Sequence, residues 1–238
     1  MKKNNTDHFN PIDQRILYED NHLIIINKQA GELVQGDRTK DKPLVDLVKA
    51  FIKTRDQKPG EVFVGIPHRI DRPVSGAVVY AKTSKGLSRM SDLFRRKAMK
   101  KTYWAIVEQA PEKKEGRLEG WMKKNEKQNK SYVSDEEKPE HKIAILHYKL
   151  LATSDRYYLL EIDLETGRHH QIRAQLAHMG CIIKGDLKYG AARSNPDASI
   201  SLHARKVEFM HPIKNKELAI VAPCPSDALW QFFETTTQ

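Results

Sequence analysis

Cysteine is nearly absent from this 238-residue chain: Cys181 and Cys224 are its two, and they form no CxxC pair. That excludes a disulfide-stapled scaffold and a zinc ribbon, and it suits a reducing compartment. Cys181 precedes two isoleucines, the setting of a small buried side chain rather than a reactive thiol. Long apolar runs are missing as well. The longest aliphatic stretch, 23–26, is far too short to span a bilayer, and residues 1–10 are too polar for a signal peptide. A cytoplasmic protein without membrane attachment is expected. No GxGxxG, GxxxxGK[ST], HExxH or EF-hand pattern occurs, and His169, His170 and His178 fit no zinc-finger spacing. The chain is therefore expected to bind no metal and to use no cofactor.

What is present is a globular composition with a basic excess. Apolar residues make up 39% and charged residues 30%, enough to bury a core and unlike a disordered chain. Lysine and arginine number 41 against 31 acids, a net charge of +10, which suits a polyanionic partner such as RNA.

The chain divides into a polar tail over 1–13 and a single domain over 14–238, with no internal repeat. Residues 16–28 read as two strands around a turn at Asp20 and Asn21. The second, 23–26, is apolar on both faces and belongs in the middle of a sheet. Leu44, Leu47, Val48 and Phe51 recur at helical spacing after Pro43. Short strands are expected at 62–66 and 77–81, holding between them the polar loop PHRIDRPVSG. A helix capped by Thr83 or Ser84 follows, with Leu87, Met90, Leu93 and Phe94 on its apolar face. Residues 101–108 alternate like a strand. The stretch 112–142 is polar and charged, broken by Leu118, Trp121, Met122, Tyr132 and Val133, and reads as a surface excursion or mobile hairpin rather than a second core. Strands at 143–151 and 157–164, a helix at 169–179 stopped by Gly180, and a closing helix at 226–233 complete the pattern.

Two segments carry chemistry. Asp71 lies between Arg69 and Arg72, whose positive charge favours an ionised carboxylate able to act as nucleophile or base. A plain salt-bridged loop is the competing reading. Arg173, early in its helix, could clamp a carboxylate on a facing loop bidentately, or could lie on a solvated face. Between Lys82 and Lys101 stand eight basic residues and one acid, Asp92. Lys82, Arg95, Arg96, Lys97, Lys100 and Lys101 are thereby candidate contacts to an RNA backbone.

Taken together, HRIDRPVSG followed by AVVYAKT, then KTYWAIV, then GRHHQIRAQLAHMGCIIKGDLKYG, resemble the RluA-type pseudouridine synthases in content, order and spacing. The opening ILYEDNHLIIINKQAG and the late SLHARKVEFMHP match the same pattern, so the resemblance runs from about Ile16 to Pro225. It implies an α+β fold with a mixed, mainly antiparallel central sheet flanked by helices. It further implies an isomerase that turns uridine in tRNA or rRNA into pseudouridine, working as a monomer without cofactor. By position, the resemblance makes Asp71 the catalytic carboxylate, Tyr103 the ring that packs on the flipped base, and Arg173 the aspartate's partner. Arg69 matches a residue that enters the RNA stack, Ile172 lines the pocket, and His68 and Arg72 flank the site.

Some positions depart from the family pattern. Val74 stands where a threonine is common, Gln29 replaces the proline after Lys28, and two histidines precede Gln171. Many members of that family carry a small RNA-binding domain ahead of the first strand; with about a dozen residues there, none is expected in this chain. Target choice is then expected within the catalytic domain, with 112–142 as its candidate. A non-catalytic RNA-binding or chaperone protein on the same scaffold is the alternative. A nucleosidase is disfavoured because no second carboxylate is evident for acid–base work.

Overall fold

The computed structural model describes residues 9–37 and 39–237. In chain order the strands are β1 (Ile16–Glu19), β2 (Leu23–Lys28), β3 (Ser75–Ala81), β4 (Lys100–Val107), β5 (Glu115–Asn125), β6 (Lys130–Ser134), β7 (Lys142–Thr153), β8 (Tyr158–Leu164), β9 (Leu202–Met210) and β10 (Glu217–Val221). The helices are α1 (Leu44–Arg55), α2 (Ser84–Arg95), α3 (Gln171–His178) and α4 (Ala228–Thr236). They form two compact units, the first of residues 1–99 with Lys206–Pro223, the second of Lys100–Arg205 with Cys224–Gln238. The architecture is α+β, as expected. No helix among the described residues is long and apolar enough to cross a membrane.

In the first unit β2 pairs antiparallel with β1 on one side and β3 on the other. Its Leu23 and Ile25 join Val79, Met90 and Leu93 in a cluster beneath α2, while Ile24 and Ile26 join Tyr80, Leu44, Val48 and Ile52 beneath α1. A helix on each face explains why 23–26 does not alternate: both faces are dry. Each buried isoleucine contributes about 1.5–3 kcal/mol of transfer free energy. Thr83 caps α2, its hydroxyl accepting from the Gly86 N–H at 3.0 Å. β9 and β10 form an antiparallel hairpin whose Val207, Phe209 and Leu218 complete the cluster under α2.

In the second unit β4, β8, β7, β5 and β6 are antiparallel neighbours in that order. α4, capped by Asp227, buries Trp230 and Phe233 against Trp104, Ile106 and Leu159. α3 packs Ala174 against Met122, Ala144 and Tyr189. Both cysteines are buried, and burial pushes the Cys224 thiol up to about 12.

Four local expectations are revised. Of the tail over 1–13, residues 1–8 lie outside the described residues, but Ile12 is buried in the core under α1 and Asp13 opens a 3-10 turn, Asp13–Arg15. The stretch 62–66 is not a strand: Gly65 makes one isolated bridge to Ala81, and Pro67 has no N–H with which to extend a ladder. The stretch 112–142 holds the expected hairpin, but it is more than a surface excursion, since β5 pairs with β7 from Glu115 to Met122 and Met122 and Val133 enter a core cluster. Its alternation of charged and apolar residues is the period of a strand solvated on one face. Finally, α3 begins two residues later than expected, because His170 takes a left-handed conformation (φ 54°) and acts as its N-cap residue.

Candidate active site

The loop ahead of β3 is fixed from inside the first unit. Lys28, the last residue of β2, is fully buried, and its ammonium donates to the carbonyls of Gln29 (3.0 Å), Arg72 (3.0 Å) and Val74 (2.6 Å). Burial pushes this ammonium down to about 7, opposed by the negative charges of Glu32 and Asp71. The Gly31 N–H donates to the Arg72 carbonyl at 2.8 Å, and the Arg72 Nε–H returns a bond to the Gly31 carbonyl at 2.9 Å. Gly31 has φ +92°, a backbone conformation glycine adopts without strain. Arg72 also reaches the Asp41 carboxylate at 2.7 Å. Glu32, itself buried, accepts from Arg15 at 2.6 Å and from the Gln29 N–H at 2.9 Å.

These contacts sort the loop residues. His68 points inward: its Nε2 accepts from the Val79 N–H at 2.9 Å and its ring stacks on Phe94 with centroids 4.6 Å apart. Arg72 is tied to Gly31 and Asp41. Asp71 is half-buried, and Arg69 is exposed. The loop is thus a rigid mount, with one arginine spent on holding it and the other presented to solvent.

In the second unit Tyr103 is half-buried on β4, opposite Ile162 of β8. Arg173 is 5% exposed, which removes the reading of a solvated helix face. Its guanidinium does clamp a carboxylate bidentately, and that carboxylate is Asp186, with Nε and Nη2 donating at 2.7 and 2.8 Å. Nη1 lies 3.0 Å from His170 Nε2, and the guanidinium sits 5.1 Å above the Tyr189 ring. Burial, with the Arg173 charge adding to it, pushes His170 down to about 2. Ile172 is buried one residue before Arg173.

Sequence reasoning did not single out Lys28, Asp186 or Tyr189 for a role. The available signal was their type: a lysine ending an apolar strand, and a lone aspartate between Gly185 and Leu187. Charges of that kind are buried only when paired or hydrogen-bonded.

The basic candidates are less uniform than their sequence suggests. Lys82 is held by Glu19 at 2.5 Å. Arg95 and Arg96 both pair with Asp92, the latter at 2.8 Å. Lys100 reaches Asp163 at 3.4 Å. Lys101 is half-buried, and burial pulls its ammonium below the usual lysine range. Arg95, Arg96, Lys97 and Lys100 are exposed.

A family model described as RNA pseudouridylate synthase matches residues 22–178. The tRNA pseudouridine synthase C of Vibrio parahaemolyticus is 34% identical over 240 residues, which cover 93% of this chain and 94% of that protein. The ribosomal large subunit pseudouridine synthase D of Xylella fastidiosa is 32% identical over 231 residues, covering 91% of this chain and 67% of that protein. Among solved structures, human RNA pseudouridylate synthase domain containing 4 shares the fold. Its TM-score is 0.76 at 22% identity, over 95% of this chain and 94% of that one.

Proposed function

Because this chain belongs to the RNA pseudouridylate synthase family, of the RluA type, we propose that it isomerises specific uridines of tRNA or rRNA to pseudouridine with Asp71 as catalytic carboxylate. The observation that carries the role is the mount of Asp71: a buried lysine donates to two carbonyls of its loop, those of Arg72 and Val74. The reaction breaks the N1–C1′ bond, turns the base and joins C5 to C1′. Every atom of the uridine is kept, so the conversion itself needs no oxidant, reductant or cosubstrate.

In this reading Asp71 acts on the target nucleotide, Tyr103 packs on the flipped base, and Arg173 serves as the arginine of the site. Exposed Arg69 enters the RNA stack where the uridine has left it. A planar guanidinium replaces lost stacking well, and extrusion of the base costs a few kcal/mol. Ile172 lines the pocket, while His68 and Arg72 hold the loop. Arg95, Arg96, Lys97 and Lys100 contact phosphates. The hairpin over 112–142 contributes to target choice, residues 14–238 work as one catalytic domain, and the protein is a cytoplasmic monomer without metal.

Adduct-based pseudouridine mapping of total RNA, from cells with and without the gene, tests the proposal. One or a few sites are lost, and wild type restores them while Asp71→Asn does not, although that variant still binds RNA. If Asp71→Asn restores them, Asp71 is not the catalytic group. RNA affinity with no site lost under any condition returns the protein to the non-catalytic reading.

A further inference from the structure

We propose that His170 and Tyr189 are positioning residues for Arg173, and that they tie its guanidinium plane to the β5–β6 hairpin through the backbone of Ser131. The inference rests on the role given to Arg173 above.

The direction of each hydrogen bond follows by elimination. Arginine carries donors only, so the His170 Nε2 facing Arg173 Nη1 at 3.0 Å must bear no proton. A neutral imidazole then carries its proton on Nδ1, which lies 3.1 Å from the Tyr189 hydroxyl. The hydroxyl oxygen therefore accepts from His170 and donates its own proton elsewhere. The Ser131 carbonyl stands 3.2 Å away to receive it, and the Ser131 N–H donates back to the same oxygen at 2.9 Å. One hydroxyl thus makes three bonds, a full complement for a buried phenol. Burial of His170 beside the Arg173 charge keeps the ring neutral, as this tautomer requires.

The same turn holds Arg173 from two further directions. Asp186 and Tyr189 stand at opposite ends of the 3-10 segment following α3, the carboxylate gripping Nε and Nη2 while the ring lies under the guanidinium. Three of the five guanidinium N–H groups are committed by these contacts, which fix the plane as well as the position. On the hairpin side the Ser131 hydroxyl donates to the His169 carbonyl at 2.7 Å, and the His169 and His170 rings stack 3.8 Å apart. The start of β6 thus grips the N-terminus of α3, which explains why a left-handed residue is held there.

The test compares wild type with Tyr189→Phe, which keeps the ring and removes the hydroxyl. Without its acceptor, the buried His170 Nδ1–H is left unpaired, and the ring loses the contact that holds it in place against Arg173. Nitrogen-15 histidine spectra read the tautomer directly: wild type shows His170 protonated on Nδ1, and in Tyr189→Phe the Nδ1–H proton moves upfield as its acceptor is lost. Single-turnover conversion of RNA falls roughly 10- to 100-fold, the scale of a misplaced catalytic group, while the RNA dissociation constant stays within about twofold. A wild-type Nε2–H tautomer overturns the proposal. So does an unchanged single-turnover rate, or a loss explained by weaker RNA binding. If wild-type protein converts no uridine, the functional reading fails, yet the tautomer still decides whether the relay exists.

Discussion

The Lys28 ammonium donates to the carbonyl of Val74 at 2.6 Å, closing a contact between residues 46 apart in sequence. A second bond to the Arg72 carbonyl holds the backbone immediately after Asp71. Lys28→Met removes the ammonium from both carbonyls, of which Arg72 keeps the Gly31 N–H, and is expected to cost about 1–3 kcal/mol of stability for a group left unpaired. The pH dependence has a definite sign. Lys28 titrates near 7 when folded and near 10.5 when exposed, so between these values the unfolded chain holds the extra proton. Its contribution to stability therefore rises with pH through that window and is flat below it. Urea midpoints at pH 7 and 9.5 check this: wild type gains relative to Lys28→Met at the higher pH. Parallel behaviour of the two proteins would exclude Lys28 as the source.

The buried Arg15–Glu32 pair predicts an asymmetry. Arg15→Ala strands a carboxylate in the core and is expected to lose about 3–5 kcal/mol. Arg15→Met combined with Glu32→Leu removes both charges and loses less than Arg15→Ala alone. Chemical denaturation of the three proteins ranks them.

Neighbouring His68 and Arg69 are expected to behave oppositely. His68→Ala orphans the Val79 N–H and removes a ring stacked on Phe94, so it lowers the melting temperature, with a loss of roughly 1–3 kcal/mol. Arg69→Ala leaves the melting temperature unchanged and slows conversion of RNA. Melting curves and single-turnover assays on both variants separate the roles. A destabilised Arg69→Ala with normal turnover would contradict the assignment.

Charges on α2 give a salt signature. Replacing Arg95, Arg96 and Lys97 with glutamine weakens binding to every RNA tested. It also flattens the log–log salt slope by roughly 0.7–0.9 for each phosphate the protein no longer neutralises. Asp92→Asn acts the other way, since it releases Arg95 and Arg96 from their shared carboxylate. Filter binding over a salt series from roughly 50 to 300 mM reads both effects. A change in preferred sequence at constant slope would mean that these side chains read bases.

The legible parts of this protein were those whose signal is local. The run 23–26, the Thr83 cap and the apolar face Leu87, Met90, Leu93 and Phe94 each follow from spacing and side-chain chemistry within a dozen residues. The motifs that point to the family were legible for the same reason, being short and in order. Less legible were features that depend on a neighbour. Strand 62–66 failed because one bridge to Ala81 is all that Gly65 obtains. The 112–142 stretch reads as a surface excursion because β5 has a wet face, and only its pairing with β7 makes it part of the core.

By itself, then, the sequence determined the family, the four helices and most of the strands, and the identity of the chemical groups, because each is written in contiguous residues. The tertiary structure decided which groups meet. It assigned Asp186 to Arg173, Val79 to His68, and the carbonyls of Arg72 and Val74 to Lys28. Those pairings are selected by burial: once water is excluded, each donor and acceptor must take the partner that packing brings within 3 Å, and no local pattern records which one that is.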